Sequence, residues 1–421
     1  MLQKIIDLHI HSKYSRACSK DLELPKIAQA CQIKGVDIVA TADFTHPAWF
    51  EHIKENLIED NQGIYRLKDN SSLTRFILST EISCIYKHKE AVRRLHLVLL
   101  APNLKAVEKF NQALEKRGVN IRSDGRPIMG LSAKEILQIM LAIDPDFMMI
   151  PAHAWTPWFA IFGSKSGYDR LEDCFEELTP RIRAIETGLS SDPPMNRRLS
   201  ALDKIVLVSN SDAHSLDKIG REANVLAFDN PKDINFLNIK KIIESGDRDR
   251  FLHTIEFYPE EGKYHCDGHR DCRVCLTPLQ TKKANYLCPK CKKKLTVGVL
   301  HRVDDLADRN EDAIPKNIFV PHKYIVPLRE IIGYVFGVGP KSKKVDKEYQ
   351  NMIKKIGHEF FILLSASEEQ IKKNISDGNI WLAIANTRSG NVILKGGYDG
   401  EFGQVNVLPQ GANQVKQKKL F

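Results

Sequence analysis

Histidines and carboxylates, which are common ligands of catalytic metal ions, recur through the first half of the sequence. They stand in or directly after short apolar runs such as KIIDLHIH, VDIVATAD and KIVLVSNSDAH. The candidate ligands are His9, His11, Asp43, Glu81, His96, His153, Glu186, Asp212 and His214. Imidazole accepts zinc, manganese or iron, and carboxylate oxygens bridge ions and accept harder metals. If these nine side chains meet at one place, they form a site for more than one ion.

The spacing inside two motifs supports ligation. Side chains two residues apart on a strand share one face, so His9 and His11 point to the same side, and Asp212 and His214 repeat this arrangement. Two ions about 3.5–4 Å apart can generate hydroxide and stabilise both the attacking and the leaving oxygen of a phosphoryl displacement. We therefore expect a metal-dependent phosphoester hydrolase with Asp212, Glu81 and His214 as catalytic residues.

The apolar runs themselves predict the elements that position these ligands. Eight short runs between residues 3 and 228 are continuously apolar, which is typical of strands buried on both faces in a parallel sheet. Ser132 and Glu135 form a capping-box pattern ahead of ILQIMLAI, which predicts a helix between two of these strands. Functional residues of α/β barrels project from the carboxyl ends of the strands. An α/β barrel would therefore bring the ligands to one mouth.

A second metal site is predicted in a short cysteine-rich segment. Cys272 and Cys275 form one C-x2-C knuckle and Cys288 and Cys291 form another, twelve residues further on. This spacing is typical of a tetrahedral structural Zn²⁺ site that folds a segment lacking a core of its own. The ligand set stays open, because Cys275 can be replaced by another nearby side chain. The alternatives are Cys266, His265 and His269.

Charge and residue composition also differ between the first and the last part of the chain. Residues 1–262 have a net charge of −2, whereas residues 263–421 carry 27 Lys and Arg against 16 Asp and Glu, a net charge of +11. A basic region favours a polyanionic partner, although a solubilising surface would have the same composition. We expect a hydrolase barrel over 1–258, a zinc module over 259–302 and a mainly helical C-terminal domain over 303–421. In that domain Lys341, Ser342 and Lys343 follow a Gly-Val-Gly turn that either binds phosphate or is an ordinary helix cap.

The order of ligands over residues 1–230 resembles the polymerase and histidinol phosphatase (PHP) superfamily. This resemblance implies a distorted (β/α)7 barrel that binds up to three metal ions. The sequence departs from the superfamily at Asp43-Phe44-Thr45-His46, where His usually follows the Asp directly. Either one metal is bound differently or His46 reaches in from the following loop.

Beyond the barrel, YHCDGHRDC, LTVGVLHRVDDLADR and GYDGEFG follow in an order similar to that of the endonuclease Q family. This resemblance implies hydrolysis of the DNA phosphodiester bond on the 5′ side of hypoxanthine, uracil, xanthine and abasic sites. We expect Zn²⁺ in the cysteine module and in the barrel, with Mg²⁺ or Mn²⁺ as the catalytic ion. Reading such a base requires turning the nucleotide out of the duplex.

Two groups of residues are candidates for contacting that DNA. Aromatic side chains follow His153 and can stack on a base. They are Trp155, Trp158, Phe159 and, further on, Tyr168. Ser12, Lys13 and Arg16 follow the first ligand pair and can hold the scissile phosphate.

Other functions and partners were weighed against this one. A small-molecule phosphoesterase would share every barrel ligand, and a non-catalytic zinc-ribbon protein would share the basic module. The sequence has no secretory signal pattern and no apolar run of about 18 residues, so we expect a cytoplasmic protein without a membrane span. We also expect a monomer. Residues Gln414–Phe421 loosely resemble a sliding-clamp peptide, with Gln417 where an apolar residue belongs.

Overall fold

The computed structural model describes residues 1–408. Its strands are β1 (Leu2–Asp7), β2 (Ile38–Ala40), β3 (Leu57–Asn61), β4 (Ile64–Leu67), β5 (Arg75–Ile77), β6 (Ser79–His88), β7 (Ala91–Leu100), β8 (Ile128–Met129), β9 (Met148–Pro151), β10 (Ala184–Glu186), β11 (Val206–Val208), β12 (Ala223–Phe228), β13 (Phe251–Glu256), β14 (Asp267–His269), β15 (Val274–Leu276), β16 (His322–Tyr324), β17 (Ile393–Lys395) and β18 (Gln404–Asn406). Its α-helices are α1 (Leu24–Lys34), α2 (Pro47–Asn56), α3 (Leu104–Glu115), α4 (Ala133–Ile143), α5 (Leu171–Phe175), α6 (Pro193–Asn196), α7 (Phe236–Ser245), α8 (Pro278–Lys283), α9 (Val299–Leu306), α10 (Leu328–Phe336), α11 (Lys343–Lys355), α12 (Glu359–Leu364), α13 (Glu368–Lys372) and α14 (Asn379–Ser389).

The predicted barrel has seven strand positions, because β5 and its continuation β6 occupy one position together. The other six are β1, β2, β7, β9, β10 and β11. Strands β1, β2 and β5 run parallel, β6 continues from β5 after one residue, and β7 pairs antiparallel with both β6 and β9. Strands β10 and β11 are parallel, and a bridge between Ile10 and Ala213 joins the end of β11 to the end of β1. Strands β2, β9, β10 and β11 are buried throughout, as continuous apolar character predicts, whereas β1, β6 and β7 are buried over only part of their length. The antiparallel β7 makes the barrel a distorted one.

Helix α4 begins as its sequence indicates. The Ser132 hydroxyl accepts a hydrogen bond from the Glu135 N–H at 3.2 Å, and the Glu135 carboxylate accepts one from the Ser132 N–H at 2.8 Å. This capping box satisfies two N–H groups that the first turn leaves free. The helix then buries Ile136, Leu137 and Met140 against the barrel.

Two parts of the sheet depart from the predicted alternation of parallel strands and helices. The hairpin β3–β4 adds to the edge of β5, and the last predicted run forms β12, which pairs antiparallel with β1 and with β13. Strand β16 comes from the predicted C-terminal domain but pairs parallel with β13, with Thr254 opposite His322. The predicted boundary near residue 302 therefore falls before a segment that returns to the barrel sheet.

The remaining chain forms the small β14–β15 hairpin, helices α8 and α9, and the helical region α10–α14. Residues near β17 and β18 fold back onto the start of the cysteine module, where the Cys266 N–H donates to the Gly397 carbonyl at 2.9 Å. In residues 1–408 no helix has the length and apolar character needed to cross a membrane. The clamp-like peptide Gln414–Phe421 lies outside the described residues.

Candidate active site

The carboxyl ends of the barrel strands carry the predicted ligands, and three of these residues have unusual backbone geometry. Asp43, His153 and Asp212 have φ angles of 43°, 30° and 46°. Residues other than glycine rarely adopt such left-handed conformations, which cost about 1–3 kcal/mol each and cluster at functional sites. The strain indicates that the fold holds these side chains for a chemical purpose.

Six of the predicted ligands meet in two clusters that share one carboxylate. The first cluster is His9, His11, Glu81 and Asp212, and the second is Glu81, His96 and His153. Within each cluster the possible ligand atoms lie within 4.8 Å of one another. A carboxylate common to two clusters can bridge two ions.

Glu81 contacts both clusters through its two oxygens. Its Oε1 lies 2.9 Å from His96 Nδ1, 3.2 Å from His153 Nε2 and 3.6 Å from His9 Nε2, whereas its Oε2 lies 3.4 Å from His11 Nε2. Asp212 Oδ1 lies 2.9 Å from His11 Nε2 and 3.6 Å from His9 Nε2. That His9 nitrogen is fully buried and has no hydrogen-bond partner among the described residues. A buried nitrogen without a partner is costly unless it binds an ion, so the donor set fits a metal.

Electrostatics keep the Glu81 carboxylate ionised and the His96 imidazole neutral, but favour a proton on His9. Burial lowers the pKa of His96 to about 4, which keeps its imidazole neutral. Burial opposes ionisation of Glu81, but the neighbouring His96, Arg126 and His9 outweigh it and hold the pKa of Glu81 well below its usual range. Burial likewise opposes protonation of His9, yet Glu186 and Glu81 raise its pKa well above its usual value. A bound cation can replace that proton, because metal ligation requires the neutral imidazole.

The other three predicted ligands surround these clusters. Both Glu186 oxygens lie 3.1 Å from His9 Nδ1, and the same carboxylate accepts the His153 N–H at 2.8 Å, so Glu186 orients two imidazoles. Asp43 Oδ1 is buried without a hydrogen-bond partner, 3.7 Å from His11 Nδ1. The His214 ring lies 4.5 Å from that of His11, and its Nδ1 donates to the Asp212 carbonyl at 2.8 Å. Ligation by these three remains a prediction.

The loop after His11 serves the site differently from the prediction. Ser12, expected to hold phosphate, is buried and donates to Asp43 Oδ2 at 2.5 Å through its hydroxyl. Lys13 pairs with Glu23 at 2.7 Å, and Arg16 is exposed. His46 does not join either cluster; its ring stacks on Tyr14 at 4.3 Å.

The aromatic candidates differ in whether their side chains are exposed enough to contact a base. Trp155 is 1% exposed and its indole donates to Asn196 Oδ1 at 2.7 Å, so the expectation that it stacks on a base is corrected to a packing role. Tyr168 is also buried, beneath the Arg93 guanidinium. Phe159 packs on His96 at 4.6 Å. Trp158 is 41% exposed and remains available.

The cysteine module forms a four-residue cluster with one change from the preferred ligand set. His269, Cys272, Cys288 and Cys291 come together, and Cys275 does not. Strands β14 and β15 pair His269 with Val274 and Gly268 with Cys275. Since side chains alternate along a strand, Cys275 faces away from Val274, which packs with Cys288. His269 thereby takes the place expected for Cys275, one of the alternatives that the sequence left open.

The turn between α10 and α11 has the geometry of a helix cap. Gly337 ends α10 in the left-handed conformation, and the Ser342 hydroxyl caps α11 by accepting the Val345 N–H at 3.3 Å. Lys341 and Lys343 are exposed. The Lys341 ammonium lies 3.8 Å from Asp217, on the loop that follows His214, so the turn lies close in space to that loop.

Two features near the site were missed in the sequence. Arg126 donates to Glu81 Oε2 at 2.9 Å from a loop with no recognisable motif, so no signal in the sequence indicated it. Glu256 and Glu222 are fully buried beside Thr187 and Ser209, whose hydroxyls donate to Glu256 Oε2 at 3.1 and 3.2 Å. A glutamate inside the apolar run of β13 is a visible signal, because buried carboxylates are rare.

This buried carboxylate makes stability depend on pH. Burial raises the pKa of Glu256 from 4.5 to about 8, so the folded protein holds a proton that the unfolded chain releases. Stability is therefore lost as pH rises between these values. We expect Glu256→Gln to raise the Tm above pH 8, by about 2–4 °C for each kcal/mol of penalty relieved, and to have little effect near pH 4.5. Thermal melts of this variant and of the exposed Glu90→Gln at both pH values test this; equal shifts at both would contradict it.

Comparisons with sequence families and known sequences extend over the whole chain. A family model described as the MJ0043 C-terminal domain matches residues 327–391. The uncharacterized protein YqxK of Bacillus subtilis (strain 168) is 29% identical over 414 residues, which cover 95% of this chain and 98% of that protein. The uncharacterized protein MJ0043 of Methanocaldococcus jannaschii is 32% identical over 275 residues, which cover 63% of this chain and 33% of that longer protein.

Solved structures match from end to end. The crystal structure of the lesion-specific endonuclease PfuEndoQ from Pyrococcus furiosus has a TM-score of 0.85 at 29% identity and covers 100% of both chains. Endonuclease Q in complex with a 27-mer duplex substrate with an abasic lesion at the active site has a TM-score of 0.83 at 30% identity, covering 99% of this chain and 100% of that one. The extent and identity of this match show that the chain belongs to the endonuclease Q family.

Proposed function

We propose that this protein is a metal-dependent DNA endonuclease that hydrolyses the phosphodiester bond on the 5′ side of abasic sites and deaminated bases. The observation that carries the proposal is the pair of ligand clusters joined by Glu81, in a chain that aligns over 99% of its length with an endonuclease Q bound to abasic DNA. Hypoxanthine, uracil and xanthine are included on the family resemblance alone.

The ions supply activated water and positive charge at the scissile phosphate, with Mg²⁺ or Mn²⁺ as the catalytic ion. Zn²⁺ is proposed for the cluster of His269 with three cysteines and for part of the barrel, because thiolate and imidazole suit it. Glu81 and Asp212 would hold the ions, and Glu186 fixes the orientation of His9.

Although burial opposes ionisation, neighbouring His side chains hold the pKa of Glu81 and of Asp212 below the usual range, so both carboxylates are ionised. Burial keeps His96 neutral by lowering the pKa of its imidazole. In His9 and His11, by contrast, carboxylates outweigh burial and raise the pKa, and ligation of an ion would displace the proton that they favour there.

His214 is proposed to move a proton near the scissile bond. Its Nδ1 is engaged by the Asp212 carbonyl, which leaves Nε2 as an acceptor, and its side chain is 34% exposed toward the mouth of the barrel. Burial lowers the pKa of His214, so the ring is neutral and can accept that proton.

Trp158 is the aromatic side chain best placed to stack on an unpaired base. It lies five residues after His153, is 41% exposed, and its ring contacts that of Tyr264 edge-on at 5.8 Å. We expect Trp158→Ala to weaken binding to a deoxyinosine duplex by about 1–3 kcal/mol, as loss of a base–aromatic stack does. Fluorescence anisotropy measures this, with the exposed Leu73→Ala as control. Equal affinities for both variants would rule out the stack.

The activity is tested by incubating the protein with Mg²⁺ or Mn²⁺ and end-labelled duplexes that contain one abasic site, deoxyinosine, deoxyuridine or deoxyxanthosine. An undamaged duplex and p-nitrophenyl phosphate run in parallel. We expect a nick directly 5′ of the lesion. Cleavage of p-nitrophenyl phosphate alone would identify a small-molecule phosphoesterase, and DNA binding without cleavage would identify a non-catalytic binding protein.

A monomeric, cytoplasmic enzyme remains part of the proposal. The sliding clamp stays a candidate partner on its sequence pattern alone, because its peptide lies outside the described residues.

A further inference from the structure

A loop that was not among the predicted site elements crosses the mouth of the barrel between α3 and β8. It places the Arg126 guanidinium 2.9 Å from Glu81 Oε2, with the arginine side chain 23% exposed. Asp124 Oδ1 holds the loop by accepting the Arg126 N–H at 2.9 Å and the Arg16 N–H at 3.3 Å. The loop is thus tied to the segment that follows His11.

Gly125 allows this close approach. A Cβ at this position would lie 2.2 Å from Asp43 Oδ2 and 2.5 Å from Ser15 Oγ, so no larger residue fits. The Gly125 N–H also donates to the Tyr14 carbonyl at 3.1 Å. The backbone therefore packs directly on the candidate ligand Asp43, and Arg126 is held beside the site by fixed contacts.

Arg126 and His11 of the first cluster both lie near the same oxygen of Glu81. Glu81 Oε2 belongs to the cluster with His9, His11 and Asp212, and it lies 3.4 Å from His11 Nε2. A guanidinium and a divalent ion at adjacent positions repel each other, because like charges a few ångströms apart are unfavourable in a partly buried site. Only one nitrogen of the Arg126 guanidinium contacts Glu81, so its other N–H groups can donate to a second anion beside the site.

We propose that Arg126 is a catalytic residue that donates hydrogen bonds to a non-bridging oxygen of the scissile phosphate and stabilises its charge in the transition state. This inference rests on the proposed phosphodiester hydrolysis. Arginine suits the role because its planar guanidinium stays protonated and can bind phosphate through two N–H groups. The bond broken and the bond formed are those of the hydrolysis itself, and Arg126 neither gains nor loses a proton.

Two other cations near the mouth are already engaged. Lys13 pairs with Glu23 at 2.7 Å. The Arg221 guanidinium donates to the backbone carbonyls of Ser211 and Asp212 at 2.9 and 3.5 Å. Among the described residues, no Lys or Arg other than Arg126 forms an ion pair with Glu81, the ligand common to both clusters.

The test compares Arg126→Ala, Arg126→Lys and Arg122→Ala. Arg122 lies in the same loop, is 72% exposed at its side chain and pairs only with Glu115 at 3.5 Å, which makes it a matched control. We expect Arg126→Ala to slow single-turnover cleavage of an abasic duplex about 10²–10³-fold, as loss of a transition-state donor does. Arg126→Lys is expected to recover part of that rate, and Arg122→Ala to keep it.

Two further measurements separate catalysis from support of Glu81. Metal content by mass spectrometry is expected to be unchanged in Arg126→Ala, while calorimetry shows binding of inorganic phosphate to the Mn²⁺-loaded enzyme weakened about tenfold, the loss of one charged hydrogen bond. Loss of metal, or cleavage within twofold of the unmodified enzyme, would overturn the proposal. If the unmodified enzyme does not cut DNA, the same comparison on bis(p-nitrophenyl) phosphate tests Arg126 while the endonuclease proposal fails.

Discussion

Replacing Glu81 by Gln is expected to lower lesion cleavage by about 10⁴-fold or more, the scale seen when a central catalytic carboxylate is removed. Glu81 contacts both ligand clusters, with Oε1 2.9 Å from His96 Nδ1 and Oε2 3.4 Å from His11 Nε2. Glutamine has nearly the same shape but no charge, and its NH2 group repels a cation. Both clusters are weakened by this one substitution.

Three readouts make the result specific. Single-turnover cleavage of an abasic duplex reports the chemical step, and metal content reports occupancy of the two clusters. DNA affinity is expected to change by less than about threefold, because phosphate contacts spread over the surface dominate binding. Glu90→Gln, on a glutamate that is 99% exposed, is the matched control. Cleavage within tenfold of the unmodified enzyme would show that Glu81 is not a shared ligand.

The candidate site was largely predictable because each ligand carries a local signal. A His, Asp or Glu at the end of an apolar run is a polar group where burial is costly, and parallel strands bring such ends together. Arg126 has no such signal. Its position depends on how the loop after α3 packs on Asp43 and Ser15, a contact between segments more than 80 residues apart that no spacing rule encodes.

The barrel strands of the fold were predictable because they too carry a local signal in the sequence. Continuous apolar runs identify strands buried on both faces, and they gave the barrel strands directly. Strands β3 and β16 were not predicted because they lie at the two edges of the sheet, where the sequences LIEDN and HKY are mostly polar or only partly buried. An edge strand is defined by its partner more than by its own sequence.

Trp155 and Cys275 show where residue type alone misleads. A tryptophan after a predicted ligand suggests a base-stacking residue. Trp155, however, is buried by the loop that wraps around it, and its indole N–H donates to Asn196 Oδ1. Cys275 belongs to a C-x2-C knuckle, but the register of β14 with β15 decides which side of the hairpin its thiol faces. Register follows from pairing, which sequence spacing does not show.

The ligand set of the cysteine module leads to the second large effect. His269→Ala and Cys272→Ser are each expected to remove about one equivalent of zinc and to unfold the module, since structural zinc supplies about 10–16 kcal/mol in comparable small domains. The segment has a small apolar cluster of its own, formed by Val274, Cys288 and Leu295, which cannot replace that energy. DNA affinity is expected to fall in both variants because the module's basic surface is lost with its fold.

Cys275→Ala is the matched control, because this cysteine lies in the same knuckle but points away from the cluster, with its Sγ 3.9 Å from the Gly396 carbonyl. It is expected to keep its zinc and its melting temperature. Cobalt substitution gives an independent count, since the intensity of thiolate-to-cobalt charge transfer scales with the number of cysteine ligands. Three thiolates that persist in Cys275→Ala and fall in Cys272→Ser would establish the histidine-containing set. Four thiolates in the unmodified protein, with one lost in Cys275→Ala, would instead restore the four-cysteine site, and would require β15 to shift its register by one residue so that the Cys275 thiol reaches the ion.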